Sequence, residues 1–246
     1  MLKKNLIIII PVYNEEKTIF NLIKKIPKIE YVNQKNLVIN DGSLDNSSII
    51  AEEAGAIVIN HHKHLGLGQA FKTGLIYCLK SRADIIILLD GDGQYDPNKI
   101  ESLIIPILED KFDLVIGNRF SFNTFNEISY LKKLGNKIIS TFLSKIILHL
   151  KEAYDMQCSF RAFNQKLAKF CSEHFLGDYN YAQEMFILTK LCGFSIKQIP
   201  VDCHERVNGK SRLIKNLIVH LIRILWVSFR TYFRIKLNLK NTDYKE

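Results

Sequence analysis

The chain has no stretch of about 18 uncharged apolar residues, so no segment reads as a transmembrane span. Nor does its start read as a secretory leader. Lys3 and Lys4 precede only a short apolar stretch, Leu6 to Ile10, which runs into Pro11-Val12-Tyr13-Asn14-Glu15 with no small-residue cleavage site. The five cysteines, at 78, 158, 171, 192 and 203, are odd in number and match no metal-ligand spacing. They read as reduced thiols of a cytosolic protein. No internal repeat, low-complexity tract or Pro/Gly/Ser linker interrupts the chain. Acids are nearly missing from one region: His204 to Lys240 holds nine Lys/Arg and only Glu205.

What is present fits a sizeable α/β domain. The 246 residues are 47% hydrophobic, ample for a core and too apolar for disorder. The net charge of +9 is uneven. Residues 204–240 carry +8 and 241–246 carry −1, which leaves +2 for residues 1–203. A basic tail on a near-neutral body calls for an anionic partner.

Apolar runs alternate with helical patterns. Strands are predicted at Leu6–Val12, Leu37–Asn40, Ala56–Asn60, Ile85–Leu89 and Leu114–Gly117, and helices at Glu15–Lys25, Asn46–Ala54, Gln69–Ser81 and Asn98–Glu109. This rhythm predicts a mostly parallel sheet flanked by helices. Beyond Gly117 it breaks: helix over 127–150, a short strand Phe160–Phe163, helices near 165–174 and 180–192, and a strand Ile196–Val201.

The chemistry gathers where strands end. Asp90-Gly91-Asp92 follows the buried-looking run Ile85-Ile86-Ile87-Leu88-Leu89. Asp and Gly also make ordinary turns after strands. Two acids at a buried strand end, however, repel and lose hydration unless donors or a cation receive them. A divalent ion with oxygen ligands is one such receiver. The other strands end in Pro11-Val12-Tyr13-Asn14-Glu15-Glu16, Asn40-Asp41-Gly42-Ser43-Leu44-Asp45 and Gly117-Asn118-Arg119-Phe120. Open α/β sheets bind ligands at this edge. Asp45 reads equally as a helix N-cap or a ligand. Gly66 and Gly68 fall short of a dinucleotide fingerprint. His61, His62 and His64 read as a surface cluster with no carboxylate partner nearby.

In order, P-V-Y-N-E, N-D-G-S-L-D, G-L-G-x-A-x-x-x-G, D-G-D-G-Q-Y-D-P, G-N-R-F and R-V-N-G-K-S-R resemble the inverting family 2 glycosyltransferases of GT-A (Rossmann-like) fold. The dolichol- or polyprenyl-phosphate mannosyl- and glucosyltransferases are the branch they most resemble. The resemblance spans about residues 5 to 212. It implies Pro11, Tyr13, Glu15, Asp41, Ser43 and Asp90 as donor-binding residues. It implies Asp90, Asp92 and Gln94 around Mg²⁺ or Mn²⁺, with Asp92, Arg119 and Arg206 as catalytic groups. Arg161, Ser211 and Lys72 are the expected acceptor or phosphate contacts, and Glu184, in a helical pattern, reads equally as a candidate base or a structural acid.

Three departures stand out. Asn40 replaces the first of two usual acids, Gly66-Leu67-Gly68 lacks the family's Lys, and Ser159 replaces Gly in the D-x-x-S-G-F-R segment, here Asp155 to Arg161.

The division expected is a glycosyltransferase domain over 1–210 and a basic amphipathic helix and tail over 211–246. On a helical wheel Arg212, Arg223, Arg230 and Arg234 fall within about 40° of one another. Leu213, Ile214, Leu217, Leu221, Ile224 and Leu225 cover the opposite face. Such a helix suits an anionic membrane interface, or packs on the body or a dimer partner. The expected reaction moves a hexose from a GDP-mannose- or UDP-glucose-type donor to a polyprenyl phosphate at the cytoplasmic membrane face. A sugar hydroxyl on a glycolipid or surface polysaccharide is the second acceptor class. A non-catalytic nucleotide-binding module with a basic arm for nucleic acid is the remote third, because unpaired strand-end acids repel phosphate backbones. Nucleic acid is not an expected partner; a homo-oligomer is compatible with the sequence.

Overall fold

A computed structural model describes residues 3–120, 130–176, 180–204, 206 and 217–241. The chain runs β1 (Lys4–Val12), α1 (Ile19–Lys25), β2 (Val32–Asn40), α2 (Ser47–Glu53), β3 (Ile57–Asn60), α3 (Leu67–Lys80) and β4 (Ile85–Leu88). A 3₁₀ turn (Pro97–Lys99) leads into α4 (Ile100–Leu108), then β5 (Leu114–Asn118). The second half is α5 (Tyr130–Thr141) with a π-helical turn (Phe142–Ile147), β6 (Arg161–Asn164), α6 (Gln165–His174), α7 (Tyr181–Leu191), β7 (Ile196–Pro200) and α8 (Leu217–Asn241).

The seven strands form one sheet in the order β3-β2-β1-β4-β6-β5-β7. All neighbours pair in parallel except β6, which runs antiparallel between β4 and β5. This is the mostly parallel, helix-flanked GT-A architecture. The central strand β1 is buried from Leu6 to Val12 because both faces are covered. Ile7 and Ile9 enter one core with α3, α6 and α7. Leu6, Ile8, Ile10 and Val12 enter the other with α1 and α4.

Two boundaries differ from the sequence reading for local reasons. β2 begins at Val32 rather than Leu37, since polar Asn33 to Asn36 pair with the first half of β1 on the ladder alone. α1 begins at Ile19 rather than Glu15. Asn14 holds a left-handed φ of 55°, and the Glu15 carbonyl accepts from the Thr18 and Ile19 amides in a tight turn. Starts elsewhere follow cap chemistry: Asp96 accepts from the Asn98 amide with Pro97 at the first position, and Asn164 accepts from Leu167.

α8 packs along α7. Its Ile224 and Ile235 enter the same core as Ile7 and Phe71. The apolar face expected to meet lipid is thus split, with Ile224 turned into the protein. The expected 210/211 domain boundary lies outside the described residues.

Candidate active site

Parallel register sets the site. Val12 pairs with Asn40 and Ile9 with Leu88, so the loops after β1, β2 and β4 leave the sheet side by side. The Asn14 amide donates to Ser43 Oγ at 2.9 Å, and Asn14 Oδ1 accepts from the Leu44 amide at 2.7 Å. The Glu15 amide donates to Ser47 Oγ at 2.8 Å. Asp45 accepts from the Ser47 amide at 3.0 Å and the Glu16 amide at 3.2 Å, so it braces the start of α2. Gly91 must lack a side chain: a Cβ there would stand 3.0 Å from the Pro11 carbonyl oxygen. Gly42, at φ +72°, would place a Cβ 2.5 Å from the Lys63 backbone.

Asp92 is nearly buried, with Oδ2 3.0 Å from Arg206 Nη2 and Oδ1 accepting from the Gln94 amide. Arg206 Nη1 lies 3.5 Å from Glu15 Oε1. Expected donor-side and catalytic residues therefore meet at one point. Asp90 accepts a short hydrogen bond from Ser159 Oγ. Antiparallel β6 explains that contact. Arg161 pairs with Leu88, so the residues just before β6 cross the end of β4. The Ser159 that departs from the family's glycine supplies a hydroxyl to Asp90. Burial, together with repulsion from Asp90, pushes Asp92 up to about 7 against the pull of Arg206. Burial also raises Asp90, although Ser159 and three arginines oppose it.

The histidine loop is no isolated surface cluster. His61 Nδ1 lies 2.7 Å from Asp41 Oδ1, and His64 Nδ1 2.8 Å from Oδ2. The Leu65 and Gly66 amides also donate to that carboxylate, at 2.9 and 2.8 Å. His61 Nε2 meets Thr73 Oγ1, one residue past the partly exposed Lys72. His64 stacks on Tyr13, ring centroids 4.0 Å apart. Asp41 is thus first the anchor of this loop. Asn40, the other departure, donates to Asn60 Oδ1 and accepts from the Ser43 amide, tying β2 to β3.

Four of the expected site residues have partners within the protein. Arg161 is completely buried, and its guanidinium donates to the Cys158, Met156 and Ala182 carbonyls, so it offers no face to a phosphate. Glu184 is also buried: it accepts from the Leu176 amide at 2.9 Å and pairs with Arg234 of α8 at 3.3 Å, the geometry of a structural acid. The Gln94 side-chain nitrogen Nε2 donates to the His204 carbonyl at 2.9 Å, pinning the segment that carries Arg206. Arg119 is held bidentate by buried Asp155, at 2.6 and 2.8 Å, so its charge is already partnered. Ser211 lies outside the described residues. The five cysteines are free, and burial raises every one of their thiols, which leaves them chemically quiet.

Sequence reasoning missed Ser159, Asp155, His61 and His64 as partners of Asp90, Arg119 and Asp41. The D-M-Q-C-S-F-R resemblance pointed at the first two without saying what they touch.

Comparison with known proteins gives the family and the fold. Residues 7–170 match the family described as Glycosyl transferase family 2. A UDP-N-acetylglucosamine–dolichyl-phosphate N-acetylglucosaminyltransferase of Methanococcus voltae is 31% identical over 223 residues, covering 82% of this chain and 86% of that one. A dolichyl-phosphate beta-glucosyltransferase of Trichomonas vaginalis is 25% identical, over 92% of this chain and 71% of that one. Among solved structures, glucosyl-3-phosphoglycerate synthase of Mycobacterium tuberculosis, crystallised with Mn²⁺, UDP-glucose and phosphoglyceric acid, superposes with a TM-score of 0.66. The overlap covers 94% of this chain and 79% of that one at 20% identity, a likeness of fold. The chain belongs to glycosyltransferase family 2 and is a glycosyltransferase.

Proposed function

We propose that this enzyme transfers a hexose unit, with inversion, from a UDP- or GDP-sugar to a polyprenyl phosphate at the cytoplasmic face of a membrane. The observation that carries the reading is the convergence of Glu15, Asp90, Asp92 and Arg206 at the carboxyl edge of β1 and β4. The Methanococcus and Trichomonas relatives, both named for dolichyl phosphate, support the acceptor class.

The donor set fits a divalent ion. Two oxygen-donor carboxylates stand together, both raised above their ordinary values, which is the state a cation relieves. Mg²⁺ characteristically takes one or two carboxylates and completes its shell with substrate phosphates. Asp90 and Asp92 would hold Mg²⁺ or Mn²⁺. Held there, such an ion would supply positive charge to offset the charge of a departing diphosphate.

The chain's own groups do the rest. Arg206 brings a guanidinium suited to phosphate oxygens. Tyr13, Glu15, Ser43 and the Asp41-anchored loop border the donor side. A lipid phosphate arrives already ionised and needs no general base, whereas a sugar hydroxyl does. The candidate base, Glu184, is engaged at the α7–α8 contact, which favours the phosphate acceptor. The non-catalytic nucleic-acid-binding reading gives way to the family membership.

A thermal-shift screen of UDP-, GDP- and CDP-sugars with and without Mn²⁺ or Mg²⁺ tests the donor half. A ligand at a hundredfold excess over Kd stabilises by roughly 2.7 kcal/mol, or about 5 to 10 °C for a chain of this size. The shift should need both sugar nucleotide and metal, and its metal-dependent part should vanish in Asp92→Asn. No shift with any donor would contradict the proposal.

A further inference from the structure

α8 carries two apolar faces; among the described residues one is buried and the other is exposed. Ile224, Val227, Ser228, Thr231 and Ile235 are buried against the body. On the far side Val219, Ile222, Trp226, Phe233 and Leu237 are 43 to 66% exposed, and half-buried Phe229 lies among them. Their spacing, 219, 222, 226, 229, 233, 237, advances by three or four residues and makes one continuous stripe. A stripe that follows the helix for its whole length is no scatter of single exposed side chains. Phe229 and Phe233 stack at 6.4 Å, and Tyr232 meets Phe233 edge-on at 5.5 Å, so the aromatic end is preassembled.

The charge beside the stripe is of one sign. Leu217 to Asn241 contains no Asp or Glu. At 100° per residue, exposed Arg223 borders the stripe on one side and exposed Lys236 on the other, while Arg230, on the Arg223 side, has its guanidinium Nε and Nη2 buried. Arg234 lies on the same side as Arg223 but nearer the buried face, where it meets Glu184 and the His174 carbonyl and fixes the rotation of the helix. A protein partner would need a matching acidic groove. A bilayer with anionic headgroups offers apolar depth and negative charge at once, along a line the length of a helix.

We infer that the Val219–Leu237 stripe of α8 docks the enzyme on anionic lipid, with the helix lying in the plane of the interface. The inference rests on the proposed lipid-phosphate acceptor only for its purpose; the docking is a property of the free protein. It also differs from the sequence reading, in which Ile224 and its neighbours met the membrane.

Trp226 is the only tryptophan in the chain, so its fluorescence reports this stripe alone. With vesicles of three parts phosphatidylcholine to one part phosphatidylglycerol, the full-length protein should show a blue shift of Trp226 emission and quenching by brominated acyl chains. Pure phosphatidylcholine should give at least tenfold weaker binding, as should Phe233→Ser combined with Leu237→Ser on anionic vesicles. The double variant should melt within a few degrees of the parent and keep its metal-dependent sugar-nucleotide shift. Emission unchanged by anionic vesicles would overturn the inference. So would a blue shift that follows protein concentration without lipid, which would assign the stripe to a second copy. Failure of the donor screen with intact vesicle binding would sink the catalytic reading and leave this one standing.

Discussion

Asp92 sits nearly buried beside Asp90, with one oxygen on Arg206 and the other on the Gln94 amide. Its pKa of about 7 makes the site sensitive to pH in a definite direction. The unfolded carboxyl titrates near 4. Between roughly pH 4 and 7 the folded protein therefore holds a proton that the unfolded chain has released, so Asp92 withdraws stability as pH rises through that window. In the metal-free protein, Asp92→Asn should gain on the parent in melting temperature between pH 5 and pH 8, and Mn²⁺ with UDP should narrow the gap by stabilising only the parent. A difference independent of pH would show that Asp92 carries no such penalty. Glu15 and Asp92 drew notice because charge at a strand end has few structural uses, and Arg206 because its segment resembles a family motif; the structure brings the three within contact of one another. The partners were not. Ser159 reaches Asp90 across 69 positions, and Asp155 reaches Arg119 across 36. Nothing local in either segment announces such contacts. Arg161 was expected at the acceptor from the resemblance of its segment; here it ties three backbone carbonyls together inside the protein.

At the scale of elements, apolar periodicity located every strand that runs parallel, and its errors lie where polar residues join a ladder, as at Asn33 to Asn36. The antiparallel insertion of β6 was beyond it: four residues, Arg161 to Asn164, carry no mark of direction. α8 was read as an amphipathic helix, correctly in kind, but its buried face depends on α7, which the sequence of α8 does not contain. The Glu184–Arg234 pair is the hinge of that packing. Replacing one partner leaves the other poorly satisfied, so Glu184→Gln should cost roughly 1 to 3 kcal/mol of stability. A double-mutant cycle with Arg234→Met should show coupling of about 0.5 kcal/mol or more. Turnover per folded molecule should stay within severalfold. Turnover abolished at an unchanged melting temperature would restore Glu184 as the base and the sugar hydroxyl as acceptor.

Across the whole molecule, one sheet with two apolar cores delivers three loops to a single edge, while the cationic charge collects in the C-terminal third. Together these features describe an enzyme with acidic loops at one sheet edge and a basic, partly apolar C-terminal helix. The family membership and fold make it a glycosyltransferase; the choice of acceptor is the central claim. Its most direct test is transfer of radiolabelled sugar from UDP- and GDP-donors, with Mn²⁺, to a polyprenyl phosphate and, in parallel, to soluble sugar acceptors. The account predicts an inverted lipid-phosphate sugar product that falls at least a hundredfold in Asp92→Ala and in Arg206→Ala, as loss of a key electrostatic contact does. Transfer to a sugar hydroxyl, with none to the lipid phosphate, would contradict it.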